Sequence, residues 1–215
     1  MPSKTELLLA YARRATVIPV VTVADARHGI PLARTLVEAG LPVIEVTLRT
    51  SAALDAIAAM AKAVPDAVIG AGTITSPAQI NEAAEAGAKF VVTPGTPRRL
   101  AEALAQAEVP ALPGCATVSE AMALADLGFE ALKFFPAEPS GGTAWLKSIA
   151  GPLPRLRFCP TGGLDVSNGG SYLTLPNVAC IGGAWMAPPD AIAREDFATI
   201  ARLARECAAL RPAAA

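Results

Sequence analysis

PVIEVTL, residues 42–48, is a short β-branched run that opens two residues after Gly40 and leads into Arg49. It is too brief for a stable helix and almost continuously apolar, which is the pattern of a strand buried on both faces. Seven more runs of this kind flank it: VIPVVTV from Val17, AVIGAG from Ala67, KFVVTP from Lys89, VPALPG from Val109, EALKFFP from Glu130, RFCPTGG from Arg157 and VACIGG from Val178. Their starts lie 20 to 27 residues apart, which is the length of one strand, one helix and two loops. Helix start signals fill the gaps. Ser76-Pro77 and Thr96-Pro97 each read as a capping hydroxyl with proline at the first helical position, and Thr117 with Glu120 reads as a capping box.

Eight buried strands alternating with helices predict an α/β chain with a parallel sheet, closed into a (β/α)8 TIM barrel. An open, doubly wound sheet would call for a glycine-rich turn after the first strand, and Val23-Ala24-Asp25 supplies none. Ser3 to Arg14 reads as an extra N-terminal helix covering the barrel floor, and Arg194 to Leu210 as the closing helix. With no linker or low-complexity insert, residues 1–215 read as a single domain.

Composition supports a densely buried chain, with 53% hydrophobic and only 17% charged residues. The net charge is -1 and no basic stripe stands out, which argues against nucleic acid or an anionic membrane as partner. Gly, Pro or a charge interrupts every apolar stretch before it reaches membrane-spanning length. The cysteines Cys115, Cys159, Cys180 and Cys207 show no C-x-x-C spacing, and no charged leader precedes an apolar segment, so a reducing cytoplasm is expected. Each cysteine reads as a small buried hydrophobe.

Barrel chemistry sits at the C-terminal ends of strands, so polar residues there carry the functional signal. Gly40, Gly87 and Gly128 each close a helix and open the next strand, and aligning on them puts Glu45, Val92 and Lys133 at equal offsets. An acid and an amine then face one cavity. Thr47, Pro94 and Phe135 stand two residues higher, with Arg49 two beyond Thr47. Lys89 comes three positions earlier than Lys133 after its glycine, about 10 Å lower at roughly 3.3 Å per residue, near the floor.

A lysine inside ALKFFP is costly unless partnered or neutral. It could form an ion pair with Glu45 that merely fills the barrel. Alternatively, desolvation beside a cation such as Arg49 favours the neutral amine that attacks a carbonyl, with Glu45 moving protons. Arg49 is either a solvated loop charge or a carboxylate clamp. The glycine pairs in Thr161-Gly162-Gly163 and Gly182-Gly183-Ala184 end the last two strands, where backbone N–H groups often hold phosphate. His28, the one histidine, reads as a surface residue. With it alone, a catalytic metal, a Ser-His-Asp triad and a Cys-His pair are not expected.

EVTLRT at 45–50, GAGT at 70–73, KFFPAE at 133–138, FCPTGG at 158–163 and CIGGAW at 180–185 together give a resemblance. Over essentially its whole length the chain resembles the 2-keto-3-deoxy-6-phosphogluconate aldolase family, including its bifunctional 4-hydroxy-2-oxoglutarate aldolase members. The resemblance implies a cofactor-free class I aldolase of the Entner–Doudoroff pathway, acting on a small keto acid as a homotrimer. It implies that Lys133 forms the imine and Glu45 is the acid/base. It further implies that Arg49 and Thr73 hold the pyruvate carboxylate, Pro94 and Phe135 line the pocket, and Thr161, Gly162 and Gly163 serve the distal end. Family members commonly carry Ser where this chain has Ala184, beside Gly183. The rival readings are a cofactor-free sugar-phosphate epimerase or isomerase on a similar barrel, and a non-catalytic sensor of phosphorylated ligands.

Overall fold

The computed structural model describes residues 2–210. Helix α1 (Lys4–Arg14) precedes strand β1 (Val17–Val21), then come a 3-10 turn (Ala26–His28), α2 (Gly29–Glu38), β2 (Val43–Thr47), α3 (Ala53–Ala63) and β3 (Val68–Gly72). The alternation continues through α4 (Pro77–Glu85), β4 (Val91–Val92), α5 (Arg98–Gln106), β5 (Ala111–Leu112), β6 (Gly114–Cys115) and α6 (Val118–Asp126). It ends with β7 (Ala131–Phe134), α7 (Gly142–Ala150), β8 (Arg157–Pro160), α8 (Gly169–Leu173), β9 (Ile181–Gly183), α9 (Pro189–Ala193) and α10 (Phe197–Ala208). Every strand pairing is parallel. Six strands form one sheet in the order β5-β4-β3-β2-β1-β9 and three form another in the order β6-β7-β8. Single bridges from Phe158 to Val178 and from Thr161 to Gly182 join β8 to the β9 edge.

Gly40, Gly87 and Gly128 end α2, α4 and α6 in the same way. Their φ angles are 93°, 93° and 90°, and the next residue reaches back five positions, as Leu41 N–H does to Leu36 O at 2.9 Å. These are Schellman ends, which need the left-handed backbone that glycine adopts without strain. They deliver β2, β4 and β7 into the sheet from equivalent points.

Two apolar layers result. The larger lies between strands and helices, and includes Ile44, Ile57, Leu132, Leu146 and Ile181. The smaller joins inward strand residues, among them Ile18, Val43, Val68, Phe90, Val92 and Cys159, to Leu8 and Ala12 of α1. Ser3 caps α1 and Glu6 completes a capping box. Lys4 Nζ donates to the Ala107 carbonyl, which anchors the helix start beyond the end of α5. Among the described residues no helix is long and apolar enough to cross a membrane.

Four local expectations are corrected. The strand expected from Val109 is divided at Pro113, which has no N–H to give the sheet, so β5 pairs with β4 while β6 pairs with β7. Thr96 does not cap α5: Pro97 takes that place, and Thr96 Oγ1 donates to the Gly114 carbonyl at 2.8 Å. The closing helix starts at Phe197 and not at Arg194, because Glu195 has a left-handed φ of 57°. His28 is buried rather than exposed, with Nε2 3.3 Å from Glu195 Oε1, because the α9–α10 connection folds over the start of α2. Ser76 takes the expected N-terminal cap position with Pro77 following it, and the capping box expected at Thr117 is present.

Candidate active site

Glu45 lies mid-strand in β2, paired in register with Val20 and Gly70, while Lys133 in β7 pairs with Gly114 and Cys159. Although 88 residues apart in sequence, they meet: Lys133 Nζ donates to Glu45 Oε1 at 3.2 Å and to Oε2 at 3.4 Å. Their side chains are only 6% and 4% exposed. In such surroundings two charges hold each other far more tightly than in water, and a proton can pass between them. The Glu45 carboxylate fits because the next strand carries glycine: a Cβ on Gly72 would stand 2.0 Å from Oε1. Gly70 likewise makes room for the Phe90 ring, which a Cβ would approach to 2.3 Å.

Above the pair, a cleft of about 260 Å³ is lined by Arg49, Phe135, Thr161, Gly162, Gly163, Leu164, Gly183, Ala184 and Trp185, with Val20. Phe135 is the shared wall, its ring centroid 5.4 Å from Lys133 Nζ. Arg49 supplies the one cation among these lining residues. Its Nε donates to Thr73 Oγ1 at 3.2 Å, and Thr73 has a left-handed φ of 60°. That conformation costs a non-glycine residue on the order of 1 kcal/mol, and strain of this kind gathers at binding sites.

On the far side, Gly162 and Gly163 have φ of 99° and 80°. A Cβ on Gly182 would lie 2.4 Å from Thr161 Oγ1, so that glycine lets the threonine stand beside the cleft. Gly183 in turn leaves space for the Trp185 ring. Of the expected site residues, Glu45, Thr73, Pro94 and Lys133 do not line this cleft, and the Pro94 carbonyl packs against Gly114 instead. Thr47 is turned into the wall: its hydroxyl donates to the Val21 carbonyl at 3.1 Å and meets Thr22 Oγ1 at 2.9 Å. Val20, Leu164 and Trp185 had no assigned role in sequence, where apolar residues at strand ends carry no distinguishing signal. Lys89, by contrast with Lys133, is exposed. A second, apolar cleft beneath α1 offers only about 20 Å³ and holds no acid–amine pair. Among the described residues no three His, Cys, Asp or Glu side chains gather where they could hold a metal ion.

Burial pushes the Cys115 thiol up to about 12 and the Cys207 thiol to about 11. Cys180 is raised by its hydrogen bond with Cys159, then by burial. None of these thiols is a ready nucleophile.

The family model described as KDPG and KHG aldolase matches residues 9–203. The chain belongs to the KDPG and KHG aldolase family. Within that family, a KHG/KDPG aldolase of Escherichia coli (strain K12) is 48% identical over 190 residues, covering 88% of this chain and 89% of the relative. A KDPG aldolase from Legionella pneumophila, solved with pyruvate captured at low pH as a covalent carbinolamine intermediate, superposes with a TM-score of 0.90. It is 41% identical, with 93% of this chain and 97% of that one covered. The 2-keto-3-deoxy-6-phosphogluconate aldolase of Zymomonas mobilis ZM4, solved with 3-phosphoglycerate, gives 0.89 at 42% identity, covering 96% and 97%. In this KDPG/KHG aldolase chain the acid–amine pair, the cationic rim and the glycine pairs therefore sit on a backbone shared over nearly its full length with solved family members.

Proposed function

We propose that this chain is a class I aldolase that cleaves 2-keto-3-deoxy-6-phosphogluconate to pyruvate and glyceraldehyde 3-phosphate, and 4-hydroxy-2-oxoglutarate to pyruvate and glyoxylate. The observation that carries it is the buried contact of 3.2 Å between Lys133 and Glu45 beneath a cleft rimmed by Arg49. Transfer of one proton across that contact turns ammonium and carboxylate into amine and acid. Lys133 then attacks the C2 ketone, Glu45 gives its proton to the carbinolamine hydroxyl, and that group leaves as water, which yields an iminium and restores the Glu45 carboxylate. The iminium accepts the electron pair of the breaking C3–C4 bond while Glu45, directly or through a water, takes the C4 hydroxyl proton. The aldehyde departs. Glu45 returns a proton to C3 of the enamine, and hydrolysis frees pyruvate and the amine.

Arg49, positioned by Thr73, clamps the pyruvyl carboxylate, and Phe135 packs beside the imine; Pro94 supports this end from outside the cleft lining. Thr161 with the amides around Gly162, Gly163 and Gly183 receives the distal end, where Ala184 offers no hydroxyl. The same reading takes the chain as one catalytic domain closed into a (β/α)8 barrel with α1 as an added element. Parallel pairing throughout and the bridges from β8 to β9 support it. It assembles as a homotrimer in the cytoplasm, which a sedimentation mass of three chains would test.

Borohydride reduction in the presence of pyruvate tests the chemistry. One reduced pyruvyl group on the peptide carrying Lys133 is expected. A label on Lys89 or Lys147, or no label, overturns the imine and returns the buried pair to a structural role.

A further inference from the structure

Gly162 and Gly163 both sit in left-handed backbone, from which a peptide unit can turn over at little steric cost. Something has to decide which way their amides point. In a trans peptide the carbonyl and the following N–H point in opposite directions, so holding one aims the other. Both carbonyls are held. The Glu138 N–H donates to Gly162 O at 3.1 Å, and Asn168 Nδ2 donates to Gly163 O at 2.9 Å. The amide of Asn168 has no freedom to reverse, because its Oδ1 accepts from Asp165 N–H at 2.9 Å. The opposite ends of these two peptides are the N–H groups of Gly163 and Leu164, both residues lining the cleft. Neither N–H has a protein acceptor among the described residues.

Glu138 itself brings a carboxylate close to this loop: a Cβ on Gly163 would stand 2.7 Å from Glu138 Cβ. The hydroxyl of Tyr172, a side chain fully buried in α8, donates to Glu138 Oε1. It keeps that oxygen over Gly142, at the start of α7. An anion that would oppose a phosphorylated ligand is thereby tied to α8, and Glu138 does not line the cleft.

We propose that Asn168 and Tyr172 are positioning residues for the anionic end of the ligand: Asn168 aims the Leu164 N–H into the cleft, and Tyr172 secures Glu138 so that the Gly163 N–H is presented beside it. This rests on the proposed reading only in naming the substrate; anion binding at these amides stands apart from the chemistry at Lys133.

The test compares Asn168→Ala, Asn168→Asp and Tyr172→Phe with the unmodified protein. Asp keeps the shape of Asn168 and the bond from Asp165 but replaces the donor with a charge, and Ala removes the donor without adding charge, so a loss common to both variants reports the donor. Calorimetry with inorganic phosphate is expected to give a Kd raised about tenfold in both Asn168 variants, the scale of one lost hydrogen bond to a charged group, and raised several-fold in Tyr172→Phe. In kinetics, KM for the phosphorylated substrate rises by similar factors while its kcat, and both constants for 4-hydroxy-2-oxoglutarate, stay put. Phosphate affinity unchanged in Asn168→Asp overturns the proposal, as does an equal loss with both substrates. Weakened phosphate binding in a protein that cleaves neither substrate would sustain it while removing the aldolase reading.

Discussion

Gly72 and Glu45 share one volume: the space a side chain at Gly72 would fill holds the carboxylate that bonds to Lys133, 2.0 Å from where the added Cβ would stand. Gly72 is not in left-handed backbone, so its glycine is required by this neighbour and not by φ. Gly72→Ala is therefore expected to move the carboxylate and leave the strand in place. The side chain can yield only by loosening a buried ion pair, so the melting temperature should fall as well. Turnover should fall by at least ~10²-fold, the scale of a positioned acid/base. An active Gly72→Ala enzyme would show that Glu45 works from elsewhere.

Removing the charge while keeping the shape separates nucleophile from acid/base. Glu45→Gln is expected to accumulate trapped pyruvyl adduct on Lys133 yet lose at least ~10²-fold in turnover, because the amide cannot take the C4 hydroxyl proton. Parallel borohydride trapping and steady-state assays read both quantities. Retained turnover would leave Glu45 as a structural counter-ion.

Ala184 lines the cleft next to Gly183. A hydroxyl placed there adds one hydrogen bond to a charged group, worth roughly 1.5–3 kcal/mol. Ala184→Ser should raise kcat/KM several-fold for the phosphorylated substrate and leave 4-hydroxy-2-oxoglutarate nearly unchanged. Equal changes for both would place residue 184 away from the anionic end.

All four cysteines are buried, and burial holds Cys115 at about 12 and Cys207 at about 11. At pH 8 a thiol near 12 is ionised to roughly one part in 10⁴, so alkylation is slow before access is even considered. Iodoacetamide at that pH should leave the folded protein unmodified by intact mass and fully active, and should label four thiols after denaturation. Native labelling of Cys159 with loss of activity would contradict this.

The Glu120 carboxyl is held below the usual carboxylate range, chiefly by the Ala116 N–H and also by Thr117. A depressed folded value means its contribution to stability is present above the unfolded value and is lost as pH falls through it toward the folded one. The difference in Tm between the natural chain and Glu120→Gln should therefore shrink between about pH 6 and pH 3. A difference constant across that range would remove the charge from the explanation.

The meeting of Glu45 and Lys133 was legible because three helices end in the same Schellman geometry, so a count from Gly40 and from Gly128 measures real height. The cap at Ser76 was legible from the Pro77 that follows it, and the capping box at Thr117 because Glu120 lies three residues away. What escaped depends on distant chain. Nothing near Thr96 announces that Gly114 O will take its hydroxyl, and nothing near His28 announces Glu195. Pro113 was visible as a residue, but its effect depends on having different partners on its two sides. Thr47 stands at the height expected and points into the wall, because Thr22 and the Val21 carbonyl compete for its hydroxyl.

The separation of 88 residues between Glu45 and Lys133 also makes their contact one that local folding cannot form. Closing a loop of that length costs roughly 4 kcal/mol in its length-dependent part alone. One ion pair does not repay that, so the intervening strands must already be side by side before amine and acid meet. Neither half of the chain contains the pair, and a fragment ending before β7 would carry the acid without the amine. Activity in a denaturant titration should therefore vanish together with the last cooperative loss of structure, which makes imine trapping a reporter of whether β2 and β7 still hold their places.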